Sequence, residues 1–118
     1  MPVRFTQHLA LGASHVLEGH KTCGKLHGHL YHVSLTFEGE PYRDNWGYPM
    51  SEKTLAGAIG IVNELKLRHL NDMIPAGTPS VNGIAAYLLE RTRVLGVVRV
   101  EVHESDTDIT GSSEHLAR

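Results

Sequence analysis

The sequence predicts an α+β fold, an antiparallel sheet with two helices on one face. Apolar residues alternate with period two near the start, again around residues 27–37, and once more near residue 100. Between the second and third of these runs lie two stripes with helical period. Strands at both ends with helices between them point to segregated layers of sheet and helix. At 118 residues the chain is expected to form one domain, 1–118, because two halves would each approach the size at which a core becomes marginal.

The first strand is predicted over Val3–His15, where Val3, Phe5, Leu9, Leu11 and Ala13 occupy one parity and only Gln7 interrupts them. The second runs from His27 to Phe37. Its odd positions are His27, His29, Tyr31, Val33, Leu35 and Phe37, and its even positions are polar or small except for Leu30. Residues Gly39 to Pro49 are rich in Gly, Pro, Asp and Asn and read as a loop. Ser51 is a candidate cap for a helix reaching about Leu70, with Leu55, Ala58, Ile59, Val62 and Leu65 on one stripe. After a break at Pro75–Gly77, Thr78 and Pro79 begin a second helix with proline at its first position; it should run to about Val94 and stop at Gly96. Val98, Val100 and Val102 then alternate in a strand that places Glu104 on the same face. Beyond Asp106 the pattern fits either a short last strand or a frayed end. A sheet this small has two edges to protect, and oligomerisation is one way to cover them.

Composition narrows the function. The net charge is -2 and Lys and Arg are scattered, so no nucleic-acid footprint is expected. Residues 1–11 lack a continuous apolar run, and no segment has the length of a membrane span, so a cytoplasmic protein without membrane partners is expected. The single cysteine, Cys23, rules out an intrachain disulfide. Nine histidines are the unusual feature, since imidazole is the commonest metal ligand and proton shuttle.

His27 and His29 lie two apart in a predicted strand, so both side chains leave the same face and can reach one ion. His15 ends the preceding strand in phase with its apolar face. A hairpin would bring it near the other two, with His20 as the rival third ligand. Three histidines and one open position describe a catalytic zinc site, whereas structural zinc sites fill all four positions with protein ligands. The alternative is a pair of ordinary polar strand residues. Cys23 sits between Lys21 and Lys25 and close to this ion, an environment that favours a thiolate; the plainer reading is a buried small hydrophobe. A cupin-type barrel also uses H-x-H, but it adds a glutamate absent from Tyr31–Thr36 and has no place for two helices.

The run Cys23-Gly24-Lys25-Leu26-His27-Gly28-His29, preceded by Ala13-Ser14-His15, closely resembles the signature of the 6-pyruvoyltetrahydropterin and 6-carboxytetrahydropterin synthases. Weaker similarity covers Leu70-Asn71-Asp72, Pro79-Ser80, Ile84-Ala85 and the strand from Val98 to Ser105. The resemblance implies the tunnelling fold, with strands and helices in the order ββααββ, assembled as a trimer or a hexamer of stacked trimers with active sites between subunits. It implies Zn²⁺ held by His15, His27 and His29, with Cys23 as the base that takes a proton from the substrate side chain. Glu104, followed by Ser105, would anchor the pterin ring, because a carboxylate accepts two hydrogen bonds from an aminopyrimidine edge.

The implied activity is a carbon–oxygen lyase that converts 7,8-dihydroneopterin triphosphate to 6-carboxytetrahydropterin, a precursor of deazapurines such as queuosine. The compact length fits this branch better than the longer pyruvoyl-forming one. One part of the pattern departs. Family members carry an Asp-His proton relay shortly before Leu-Asn-Asp, and Lys66-Leu67 stands there instead. His69, Asp72 or another subunit is the candidate to rebuild the relay, and the alternative for His69 is a core or cap histidine. A side chain two residues further along a helix points about 200° away, so a short deletion would be needed to place His69 correctly. The usual Asp-Phe-Gly-Asp-Leu segment has no good counterpart at Ser51–Leu55, and a glutamate usual at the start of the second helix is Asn82. The alternatives are a non-catalytic zinc or pterin binder of the same fold, and an enzyme with related aldol-type or pyruvoyl-forming chemistry.

Overall fold

A computed structural model describes residues 1–15, 27–74 and 79–115, with His27 described by its backbone alone. Cys23 therefore lies outside the described residues. The elements are β1 (Val3–His15), β2 (His27–Gly39), α1 (Glu52–Asn63), the single turn α2 (Leu70–Met73), α3 (Val81–Thr92), β3 (Val97–Glu104) and β4 (Ile109–Glu114). The segment after Asp106 is thus a strand. All neighbouring strands are antiparallel, in the order β1-β2-β3-β4.

The odd parity of β1 and β2 is the buried one. Leu11 and Ala13 of β1 and Tyr31, Val33 and Leu35 of β2 join Val100 and Val102 of β3 in the core, with Ala58, Val62, Ile84 and Leu88 from the helices. Each Val, Leu or Ile side chain among them taken fully from water contributes about 1.5–3 kcal/mol. A bulge resolves the change of parity in β3: Phe37 pairs with Val97, whereas Thr36 pairs with Arg99. Val98 is the extra residue, so the odd Val97 and the even Val100, Val102 and Glu104 all serve the same face.

The opposite face of the sheet carries no described helix and is polar, with Thr6 bonded to Thr36, His8 to Ser34 and Arg4 to Glu38. The hydrogen bond and negative charge of Glu38 hold the Arg4 guanidinium above its ordinary pKa.

Both main helices are capped by serine. Ser51 Oγ accepts from the Thr54 amide and Ser80 Oγ from the Gly83 amide, each at 3.1 Å, a contact worth about 0.5–2 kcal/mol. The second helix begins at Val81, two residues past Pro79, which stays outside it. At its end, α3 passes into a 3-10 turn and stops at Gly96 in the left-handed region (φ 100°).

The first helix is shorter than its apolar stripe suggests and stops at Asn63 instead of about Leu70. The chain leaves the helix because the outer edge of β1 competes for its backbone. Leu67 N–H donates to Gly12 O (2.7 Å) and Ser14 N–H donates to Arg68 O (3.1 Å). Residues 67–69 thereby run alongside the last turn of β1, with Ser14 and His69 in a parallel bridge. To reach this path Leu67 adopts φ 60°, a conformation rare for a branched side chain, and it is 83% exposed.

Candidate metal centre

Antiparallel pairing brings the end of β1, the start of β2 and the end of β3 to one edge of the core. His15 lies opposite His27, Ala13 opposite His29, and Tyr31 opposite Glu104. His15, His29 and Glu104 all belong to the buried face, so three polar groups meet where the hydrophobic core ends. Among the described residues these three form the one set of His, Cys, Asp or Glu side chains whose ligand atoms lie within 4.8 Å of one another, and all three are buried. The His15 and His29 rings meet edge to face at 4.8 Å.

The outer nitrogens of both rings are engaged. His15 Nδ1 is 2.7 Å from the Pro79 carbonyl oxygen, with the Tyr31 hydroxyl at 3.3 Å. A carbonyl only accepts, so Nδ1 is the donor. His29 Nδ1 is 2.6 Å from an Asp106 carboxylate oxygen and likewise donates. In their neutral form the two rings share one tautomer, with the Nε2 lone pair turned inward. Both Nε2 atoms face the same oxygen: Glu104 Oε2 is 3.5 Å from that of His29 and 3.9 Å from that of His15. The other oxygen, Oε1, accepts from the Thr107 hydroxyl at 2.6 Å.

Two lone pairs facing an anionic oxygen repel, and a cation between them reverses the sign. The spacing exceeds the 2.7–3.2 Å of an ordinary N–H···O bond. It is close to the edge of a zinc tetrahedron, about 3.3–3.5 Å for metal–ligand bonds near 2.0–2.2 Å. Imidazole and carboxylate are also the donors zinc takes. The residues present therefore fit the ion.

Of the other expected site residues, Cys23 and the His27 side chain lie outside the described residues. The His27 backbone pairs with His15. His69 Nδ1 lies 3.1 Å from Ser14 Oγ. Ser14 alternates with His15, so this contact lies on the opposite face of the sheet. Asp72 is exposed in the first turn of α2. Neither residue belongs to the buried cluster. Ser105 is exposed and uses its amide to donate to Leu30 O at 3.0 Å. A cleft of about 380 Å³ opens beside His29, lined by Gly12, Ala13, Ser14, Gly28, Leu67 and Arg68.

Four groups of the centre escaped the reading of the sequence: Asp106, the Pro79 carbonyl, the Tyr31 hydroxyl and Thr107. Thr107 lies three residues from its partner, a spacing that local turn chemistry makes legible. The other contacts span 16 to 77 residues and carry no local signal.

Comparison with known proteins agrees with the fold. The chain superposes on 6-pyruvoyl tetrahydropterin synthase of Caenorhabditis elegans with a TM-score of 0.82 at 15% identity, covering 98% of this chain and 97% of that one. For an uncharacterized protein of Wolinella succinogenes the TM-score is 0.74 at 16% identity, with 98% and 99% covered. The synthase of Plasmodium vivax gives 0.68 at 18% identity, with 97% and 99% covered. At these identities the likeness is one of fold. No significant match to a curated protein sequence was found. Among the described residues no helix is long and apolar enough to cross a membrane. The model of the family described as 6-pyruvoyl tetrahydropterin synthase matches residues 4–114, and the chain belongs to that family.

Proposed function

We propose that the chain is a zinc-dependent lyase that converts 7,8-dihydroneopterin triphosphate to 6-carboxytetrahydropterin. The observation that carries this reading is the buried His15–His29–Glu104 cluster, whose two imidazoles present their lone pairs to a common centre. His15, His27 and His29 are the proposed zinc ligands, and Glu104 stands beside them without binding the ion. Bound there, zinc supplies Lewis acidity toward the hydroxyls of the substrate side chain. Cys23 takes the proton from the side-chain carbon as general base. Glu104, steadied by Thr107 at one oxygen, accepts hydrogen bonds from the aminopyrimidine edge of the pterin, and the neighbouring Ser105 lines the same end. His69 bonds Ser14 away from the buried cluster and Asp72 is exposed; the relay proposed for them serves the site of a neighbouring subunit. A homo-oligomer, trimer or hexamer, is therefore part of the proposal, acting in the cytoplasm on a small-molecule pterin.

One observation favours a second reading, a zinc or pterin binder of the same fold without turnover. At the position of the family relay this chain presents Leu67, which has no proton to transfer and is largely exposed. Incubation of the zinc-loaded protein with 7,8-dihydroneopterin triphosphate, with products identified by mass spectrometry, decides between them. Formation of 6-carboxytetrahydropterin and acetaldehyde supports the lyase. Absence of product from protein holding one zinc per chain supports the binder.

A further inference from the structure

We propose that Asp106 is a positioning residue that fixes His29 as a metal donor and sets the metal affinity of the centre. This rests on the metal-binding reading above. Asp106 is 59% exposed, yet its carboxylate reaches inward to a His29 side chain that is 3% exposed. The 2.6 Å contact is the short distance of a charge-assisted hydrogen bond. Such a bond holds the proton on Nδ1, fixes the ring plane and makes Nε2 a stronger donor.

The turn between β3 and β4 is built to hold this carboxylate in place. Asp108 N–H donates to Glu104 O at 2.9 Å and Ser105 N–H to Leu30 O at 3.0 Å, which ties both ends of the turn to the sheet. Within it, Thr107 bonds Glu104 while Asp106 bonds His29. One short turn therefore orients two of the three members of the buried cluster. The two histidines differ in their outer partners: His15 donates to the neutral carbonyl of Pro79, His29 to an anion. Among the described partners the negative charge behind the cluster stands on His29, and its removal weakens the site without altering any ligand.

Asp108 provides the control. It sits in the same turn, its side chain is 92% exposed, and its carboxylate lies 3.4 Å from His103 Nε2, outside the buried cluster. Asp106→Asn and Asp108→Asn change the net charge equally and keep the side-chain shape. Zinc affinity of the full chain, measured by competition with a chromogenic chelator, should fall about 10–100-fold in Asp106→Asn. In Asp108→Asn it should stay within about twofold, since a distant surface charge is screened. In the metal-free protein, long-range ¹H–¹⁵N correlation spectra should place the His29 proton on Nδ1 in the wild type and on Nε2 in Asp106→Ala.

Equal affinities for the two asparagine variants would overturn the role of Asp106 while leaving the zinc reading intact. An affinity loss matched by a fall in the melting temperature of the metal-free Asp106→Asn protein would overturn it too, by reducing the effect to folding. A wild type that binds no zinc would refute the metal reading and the affinity role together. The tautomer spectra then still decide whether Asp106 orients His29.

Discussion

Gly111 is the residue through which the packing of the sheet reaches the buried His15–His29–Glu104 cluster. It faces Val102 on the buried side of β4, where the start of α3 crosses the sheet. A Cβ built there would stand 2.7 Å from Asn82 N and 2.8 Å from the Val81 carbonyl carbon, and it would also overlap the Asn82 side-chain oxygen. The side-chain oxygen can rotate away, but the two backbone atoms cannot. Ordinary contact requires the first turn of α3 to retreat by about 0.6–0.7 Å. Overpacking of this kind costs about 1–3 kcal/mol, which for a chain of this length lowers Tm by about 4–12 °C.

The displaced turn begins two residues after Pro79, whose carbonyl holds His15 Nδ1 at 2.7 Å. Gly111→Ala is therefore expected to lower zinc affinity as well as stability, although residue 111 touches no ligand. Thermal unfolding of the metal-free protein reads the first effect, and chelator competition on the folded variant reads the second. A variant with wild-type Tm would refute the close approach of β4 to α3. Wild-type zinc affinity in a destabilised variant would refute the coupling through Pro79.

Gly60 lies exposed in α1, and a Cβ added there would meet nothing within 4 Å; Gly60→Ala should stabilise by about 0.5–1 kcal/mol, read as a rise in the urea midpoint. Zinc at a hundred times its Kd should stabilise the protein by about 2.7 kcal/mol, or about 10 °C in Tm. Excess chelator should reverse the shift, and a Tm indifferent to zinc would count against the centre. Cys23→Ala should abolish turnover and leave zinc bound; unchanged turnover would remove Cys23 from the mechanism.

Much of the fold was legible in the sequence because its signals are local. Period-two runs located β1 and β2, and alternating valines located β3. Serine before an apolar stripe identified the cap of α1, and a glycine marked where α3 ends. The family likewise followed from the close spacing of Cys23, His27 and His29 behind His15. His15 could be placed in phase with an apolar face from parity, whereas Glu104, which reads as a solvated strand-end carboxylate, is buried in the structure.

Tertiary structure decided the rest. Helix α1 stops at Asn63 because the edge of β1, distant in sequence, takes the backbone bonds of residues 67–69. The bulge at Val98 changes the parity of β3, and only strand pairing reveals it. Asp106 and Pro79 join the centre across 77 and 64 residues. His69 is drawn to Ser14 on the opposite side of β1. A hydrogen bond between distant residues leaves no periodicity, because it depends on where the completed sheet brings two atoms and not on the residues beside them. The sequence by itself determined which residues have metal-binding chemistry and which faces are apolar; the assembled sheet determined which of those residues meet, and which outer partners hold their protons.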